Sequence, residues 1–263
     1  MLLPILYSDN ISYLNESIQS IMKQTVKKFE CWLIIDGPVD CKLQTFLDHL
    51  TDARFVLKHS KKIRKLSDAL NSALEEAIEE KFHYIFRMDS DDICHPERLE
   101  KQINFLNVNP DVGILGSWFE PIDAQSQPTG KIVKFPMTHE CCLKTFKKRN
   151  PVNHPCVAFR ASVFKKIGLY PNKYKNNEDT NLWCQAFKHN IQFANLPEVL
   201  LYFRMTPSLF KRRKKCAYDN FINKLQINKE LSFGIGANIY AFFVFLIKVQ
   251  PLFISKTIYK MLR

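Results

Sequence analysis

The sequence lacks the cysteine spacings that build zinc sites. Its eight cysteines include no C-x-x-C pair and no Cys/His arrangement typical of a zinc module. Several of them fall inside apolar runs, as Cys31, Cys156 and Cys184 do. We therefore expect reduced thiols in the protein core and a reducing, cytoplasmic location.

The sequence also lacks an apolar segment long enough to span a membrane. The stretch from Ile239 to Ile247 is apolar, but Lys248 and Pro251 interrupt it before the roughly 20 residues that cross a bilayer. At the other end, Met1–Leu6 carries no basic leader and predicts a buried first strand. These absences favour a cytoplasmic protein that attaches at most peripherally to the cytoplasmic face of the inner membrane.

Acidic residues are in the minority among the charged ones. The chain has 38 Lys and Arg against 26 Asp and Glu, which gives a formal net charge of +12. Such an excess favours an anionic partner, and nucleotide diphosphates, acidic lipids and nucleic acids all satisfy it. No recognisable aromatic RNA-binding signature is present, and part of the excess lies in one short run, so we do not expect nucleic acid to be the partner.

The length of 263 residues suits one large α/β domain with a short appendage. Strand-like and helix-like segments alternate up to about residue 120. Among them, Cys31–Ile35 is an unbroken apolar run, and Leu66–Ile78 has the clearest amphipathic helical spacing. This alternation predicts a mostly parallel sheet flanked by helices over residues 1–207, followed by a helical tail over 208–263.

Acidic side chains follow two predicted strands. Asp36 ends the run that begins at Cys31, and Asp89, Asp91 and Asp92 come directly after the strand-like Tyr84–Met88. Ligands of open α/β sheets bind at the carboxyl ends of strands, and Mg²⁺ and Mn²⁺ prefer carboxylate oxygens. These residues are candidates for a metal and diphosphate site; a solvated acidic loop or a helix cap is the alternative.

A second acidic pair, Glu178 and Asp179, precedes a segment whose apolar residues recur at helical spacing. A carboxylate here could act as a general base that accepts a proton from an attacking hydroxyl, and Asp179 is our candidate. Simple capping of the helix would explain the same pair. His154 and Arg204 are further candidates for contacts with a diphosphate; the alternatives are a hydrogen-bonded structural histidine and an arginine that reaches solvent.

The tail combines a basic run, Lys211–Lys215, with the apolar Ile239–Ile247. One basic patch and one apolar insertion together hold proteins on membranes, so an anionic membrane surface is an expected partner. Packing of the apolar segment on the main domain is the alternative.

Taken in order, these segments resemble glycosyltransferase family 2. The resemblance covers roughly residues 1–205. The matching segments are Ser17–Ile21 with Gln24 and Thr25, Asp36–Pro38, Ala69–Asn71, Arg87–Ile93, Pro96–Gln102, Asn109 and Pro110, His154 and Pro155, Glu178 and Asp179 with Leu182 and Trp183, and Leu196–Glu198 leading to Tyr202.

The resemblance implies a GT-A fold and a nucleotide-diphosphate sugar as donor. Asp36 would bind the nucleotide base, and Asp89 would lie against the ribose or the diphosphate. Asp91 would ligate the Mg²⁺ or Mn²⁺ that bridges the diphosphate, with Asp92 supporting it.

On the acceptor side, the resemblance implies that Asp179 deprotonates a hydroxyl of a glycan or a lipid-linked saccharide, while Glu178 shapes its environment. Direct displacement would then invert the anomeric configuration, in a hexosyltransferase of surface polysaccharide or lipopolysaccharide biosynthesis. The alternative enzyme is a nucleotidyltransferase or sugar-nucleotide hydrolase with the same metal-diphosphate site. Against it, the Gly-rich basic loop that a nucleotidyltransferase places after its first strand is missing.

Overall fold

The computed structural model of the chain describes residues 1–171, 177–206, 209 and 214–250. The predicted boundary after residue 207 lies outside these residues, as do Lys211–Arg213 of the basic run and Pro251. The fold is α/β, with one parallel and one mixed sheet, and the α/β class and the helical C-terminal region are as predicted.

The N-terminal part contains a three-stranded parallel sheet in the order β1-β2-β3. Its strands are β1 (Leu2–Ile5), β2 (Cys31–Asp36) and β3 (Phe55–Ser60), and the helices between and after them are α1 (Ile11–Met22), α2 (Cys41–Asp48) and α3 (Leu66–Glu79). Every residue of β2 is buried. This explains why its sequence is an unbroken apolar run rather than an alternating one, since both faces of a parallel sheet are covered.

A second, mixed sheet has five strands in the order β4-β7-β6-β8-β5. They are β4 (Tyr84–Phe86), β5 (Ile93–Cys94), β6 (Val112–Ile122), β7 (Ala158–Arg160) and β8 (Gln192–Arg204). The long strands β6 and β8 run parallel, and the other pairs are antiparallel. A Cβ at Gly116 of β6 would lie 2.1 Å from the side-chain Oδ1 of Asn195 on β8, so any larger residue there would have to displace the Asn195 side chain.

The remaining helices of the described chain cover the mixed sheet and continue into the tail. They are α4 (Arg98–Val108), α5 (His139–Phe146), α6 (Ser162–Ile167), α7 (Glu178–Lys188), α8 (Ala217–Glu230) and α9 (Ile235–Val249), with one 3-10 turn at His154–Cys156. The apolar residues that recur at helical spacing after Glu178 and Asp179 form the inner face of α7, because Leu182, Trp183, Ala186 and Phe187 are all buried.

The two sheets meet where β4 ends. Leu2 of β1 and Arg87 form a parallel bridge, and the Met88 amide donates to the Leu2 carbonyl at 3.1 Å. The chain after β4 therefore continues beside β1, on the side away from β2. Asp36 and Asp89 both lie at the carboxyl ends of these neighbouring strands. β1 lies between the two segments, so their backbones are about two strand spacings, or roughly 10 Å, apart.

The tail helices pack on the main domain and on each other. Ile227 of α8 lies in the central core, and the Lys224 amine donates to the Phe146 carbonyl. Phe221 of α8 stacks on Phe245 of α9, with ring centroids 5.1 Å apart. Within the described residues, no helix is long and apolar enough to cross a membrane.

All eight cysteines have free thiols, as predicted. Six of them are buried, but the expectation of core thiols is wrong for Cys41 and Cys141, which are exposed. Both lie in amphipathic helices, at positions that face solvent.

Candidate active site

Asp36 lies at the end of β2 and is 7% exposed. The next residue, Gly37, turns the chain with a φ of +94°, a conformation that favours glycine. Arg64 binds the Asp36 carboxylate through two nitrogens, at 2.7 Å from Nη2 and 3.0 Å from Nε. A carboxylate has about four lone-pair sites, so a ligand can still bind beside this bidentate contact.

The loop after β4 brings three carboxylates together. One oxygen each from Asp89, Asp91 and Asp92 lies within 4.8 Å of the others. The buried Arg87 guanidinium pairs with Asp89, with 2.5 Å from Nη2 to Oδ1. Three carboxylates at this spacing repel one another, and a bound divalent cation would offset that repulsion.

Asp92 is the innermost member of the cluster and is 0% exposed. Its Oδ1 accepts from the Arg204 backbone amide at 2.8 Å, whereas the buried Oδ2 has no hydrogen-bond partner. Burial, then the charges of Asp91 and Asp89, raise the pKa of Asp92 well above its ordinary value. An orphaned buried oxygen beside two more carboxylates is a donor set that suits a hard cation.

Arg204 anchors the loop that carries the three carboxylates. Its guanidinium donates to the Asp91 carbonyl at 2.7 Å, to Glu16 Oε2 at 2.6 Å and to Ser126 Oγ at 2.9 Å. The residue is 1% exposed, and its guanidinium carbon lies 4.1 Å from the centroid of the Tyr13 ring. Arg204 therefore does not reach solvent, and it fixes the backbone that carries Asp91.

The second acidic pair begins α7, as predicted. Asp179 Oδ2 accepts from Asn150 Nδ2 at 2.8 Å, and Oδ1 accepts from the Thr180 amide at 2.6 Å. Burial raises the pKa of Asp179, and these hydrogen bonds oppose the shift. Burial also raises the pKa of Glu178 to about 7, with the charge of Asp179 as the next cause.

Charges of the cluster after β4 act on the acidic pair that begins α7. The charge of Asp89 contributes to the raised pKa of Glu178, and the charge of Arg87 opposes it. After burial, the charges of Arg87, Asp179, Glu178 and Asp89 all act on the pKa of Tyr170. The charge of Arg87 thus acts on both acidic groups, because it opposes the rise that burial causes in the pKa of Asp92 in the cluster after β4 and in that of Glu178 in the pair that begins α7.

His154 contacts Tyr170, the residue on whose pKa the charges of both acidic groups act. Its Nε2 is 2.8 Å from the Tyr170 hydroxyl, and its ring meets Trp183 edge to face with centroids 6.0 Å apart. Burial, with a smaller contribution from the charge of Arg87, lowers the pKa of His154 well below its ordinary value, which keeps the ring neutral. Asn71 fixes the Tyr170 backbone with hydrogen bonds of 2.9 and 2.8 Å. His154 therefore has the hydrogen bond expected of a structural histidine, and a ligand contact stays a prediction.

The structure thus brings Asp36 and the cluster after β4 to one edge of the fold, and the charge of Asp89 in that cluster acts on Glu178 of α7. Sequence reasoning assigned no role to several residues that hold these groups. They are Arg64, Arg87, Asn150 and Tyr170. Arg87 alone carried a local signal, because it lies two residues before Asp89 in the sequence.

The raised pKa of Glu178 predicts a pH-dependent stability. Its folded-state pKa of about 7 exceeds the ordinary 4.5, so the folded chain holds more protons and loses stability as pH rises through this window. In unfolding by urea with a chelator present, Glu178→Gln should stabilise the protein by about 1–3 kcal/mol at pH 8 and by nothing at pH 4. The exposed Glu75→Gln is the control; equal stabilisation of Glu178→Gln at both pH values would contradict the assignment.

The fold and this site together define a GT-A-like enzyme of nucleotide-sugar chemistry. Residues 5–168 match the family described as glycosyl transferase family 2. The chain belongs to this family and is a glycosyltransferase, as the sequence predicted. This membership favours glycosyl transfer over the nucleotidyltransferase or hydrolase alternative.

Two relatives illustrate the similarity. The chain is 34% identical over 222 residues to the Escherichia coli UDP-Gal:alpha-D-GlcNAc-diphosphoundecaprenol beta-1,3-galactosyltransferase, covering 83% of this chain and 78% of the relative. It is 30% identical over 206 residues to the amylovoran biosynthesis glycosyltransferase AmsE of Erwinia amylovora, covering 78% and 75% of the two chains.

A solved structure shares the fold. The mannosyltransferase PcManGT from Pyrobaculum calidifontis, in complex with GDP-Man and Mn²⁺, superposes with a TM-score of 0.64. The match covers 98% of this chain and 77% of that one at 14% identity. At that identity the likeness shows the fold alone.

Proposed function

We propose that the chain is a metal-dependent, inverting hexosyltransferase that moves a sugar from a nucleotide-diphosphate sugar to a hydroxyl of a saccharide. One observation supports this most directly: three carboxylates converge after β4, and the charge of one of them, Asp89, acts on Glu178 of a separate acidic pair. Transfer of this kind needs one group that binds the charged leaving nucleotide and another that accepts a proton from the nucleophile.

The donor side consists of the residues at the carboxyl edge of the strands. Asp36 would bind the nucleotide base beside its contact with Arg64, and Asp89 would lie against the ribose or diphosphate. Asp91, supported by Asp92, would hold Mg²⁺ or Mn²⁺; the crowded carboxylates and the unpartnered Asp92 Oδ2 fit such an ion. When bound, the ion supplies positive charge that stabilises the departing diphosphate.

On the acceptor side, Asp179 would accept the hydroxyl proton. Asn150 and Thr180 donate to its two oxygens, and these hydrogen bonds orient the carboxylate and favour its charged form. Burial acts in the opposite direction and raises the pKa of Asp179, which makes it a stronger base than a solvated aspartate. The charge of Glu178 would further adjust the pKa of Asp179.

The relatives suggest where such a reaction belongs. One is named for a diphosphoundecaprenol-linked acceptor and another for biosynthesis of the polysaccharide amylovoran. We assign this chain a glycan or lipid-linked saccharide as acceptor, in surface polysaccharide or lipopolysaccharide biosynthesis. Its place would be the cytoplasm, peripherally on the cytoplasmic face of the inner membrane.

Product analysis tests this proposal. UDP-, GDP- and dTDP-sugars are first screened with Mn²⁺ by thermal shift, because a ligand of the folded state raises its stability. The donor that binds is then incubated with α-D-GlcNAc-diphosphoundecaprenol, and NMR determines the anomeric configuration of the product. We expect transfer with inversion that a chelator abolishes. Retention, transfer unaffected by the chelator, or hydrolysis as the main reaction would contradict the proposal.

A further inference from the structure

Helix α9 leaves seven of its large apolar side chains exposed, whereas its buried residues are two alanines. Ala237 and Ala241 are its buried residues, one helical turn apart. Seven large side chains of this helix are 38–78% exposed, and most of them lie on the side away from the two alanines: Ile235, Ile239, Tyr240, Phe242, Phe243, Leu246 and Val249. A helix that packs only on its own domain would show the reverse distribution, so this stripe is suited to a second apolar environment.

Basic side chains from the main domain border this stripe. At the end of α5, Lys147 Nζ lies 5.5 Å from the Phe233 ring centroid, and Lys148 Nζ lies 5.7 Å from that of Tyr240. Both lysines are exposed. In addition, the sequence from Leu231 to Arg263 contains no Asp or Glu. We call Lys147, Lys148 and the α9 stripe the cationic-apolar face.

We infer that the cationic-apolar face docks on the surface of an anionic lipid bilayer. Aromatic and aliphatic side chains enter the interface while lysines at the rim bind acidic headgroups, and the two contributions together hold a protein on a membrane. A second copy of the chain fits this face less well, because a symmetric contact would bring two sets of lysines together without acidic partners on α9.

The cationic-apolar face also lies close to Asp179, the proposed acceptor side of the site. Asn150, which donates to Asp179, follows Lys148 by two residues, a distance of at most about 7 Å along the backbone. This step rests on the proposed function: a saccharide anchored to lipid would enter from the bilayer beside Asp179. Docking would then attach the protein to the membrane, and the acceptor hydroxyl would reach Asp179 from the side that faces the bilayer.

Vesicle flotation of the full-length chain tests the docking. Vesicles of 30% phosphatidylglycerol in phosphatidylcholine should bind it, and pure phosphatidylcholine should bind it far more weakly. Lys147→Glu/Lys148→Glu should lower the partition coefficient on the anionic vesicles by roughly 20-fold or more. The exposed pair Lys165→Glu/Lys166→Glu on α6 makes the same charge change elsewhere and should lower it much less.

The apolar half is tested with Ile239→Ser/Phe243→Ser, which should lower binding about tenfold, whereas Val108→Ser, exposed on α4, should leave it unchanged. Unchanged binding of both face variants, or a dimer in sedimentation velocity that Ile239→Ser/Phe243→Ser abolishes, would overturn the inference. These measurements contain no sugar substrate, so they keep their meaning if the proposed reaction fails.

A transfer assay tests the link to the site. The face variants should transfer poorly to α-D-GlcNAc-diphosphoundecaprenol in anionic vesicles and normally to the same lipid in detergent. Equal losses in both media would overturn the proposed direction of acceptor entry.

Discussion

Asp179→Asn is expected to lower kcat for sugar transfer by about 10²–10⁴-fold, because an amide cannot accept the proton of the acceptor hydroxyl. Donor binding should survive, since the predicted donor contacts are made by Asp36, Asp89 and Asp91. The substitution also removes a negative charge that raises the pKa of Glu178. We therefore expect the pKa of Glu178 to fall in this variant, which pH titration by NMR would detect.

The measurement pairs steady-state kinetics with donor titration by calorimetry in the presence of Mn²⁺. Asp111→Asn is the matched control, because Asp111 is exposed and precedes β6, at the edge of the sheet opposite the site. Full turnover by Asp179→Asn would remove Asp179 from the base role. If Asp179→Asn lost donor binding together with turnover, Asp179 would instead be a residue that binds the donor.

The N-terminal sheet was predictable because its signals are local. An unbroken apolar run of the length of β2 fits a strand covered on both faces, and the helical spacing of α3 lies within one segment. The mixed sheet was not predictable in the same way. β6 and β8 form a long parallel pair although some 70 residues separate them, and β5 has only two residues. Such pairings depend on the tertiary fold rather than on local periodicity.

The chemistry-bearing residues of the candidate site were visible in the sequence, but the side chains that hold them were not. Arg64 reaches Asp36 from 28 residues away, and Asn150 reaches Asp179 from 29 residues away. Asp and Glu after strands or before helices are recognisable by position, whereas an arginine or asparagine in a loop carries no such signal. Arg204 shows the same limit, since its main partners, Asp91 and Glu16, lie 113 and 188 residues away.

Asp91→Ala is expected to abolish the stimulation of donor binding by Mg²⁺ or Mn²⁺ and to weaken Mn²⁺ binding by at least about 100-fold. Transfer should fall with it, because the diphosphate would leave without a bound cation to stabilise it. Calorimetric titration with MnCl₂ measures the metal affinity, and thermal shift with donor and Mn²⁺ measures the coupled binding. Asp111→Ala is the control and should bind and react as the parent does.

The stability of the metal-free protein distinguishes a metal ligand from a structural aspartate. The charge of Asp91 raises the pKa of the buried Asp92, so its removal relieves repulsion in the cluster. The contact of Arg204 is with the Asp91 backbone and survives the substitution. Asp91→Ala should therefore stay folded in a chelator, and Mn²⁺ should raise the melting temperature of the parent but not that of the variant. A variant that melts lower in the chelator, yet still gains stability with Mn²⁺, would show that Asp91 supports the loop and that the ion binds elsewhere.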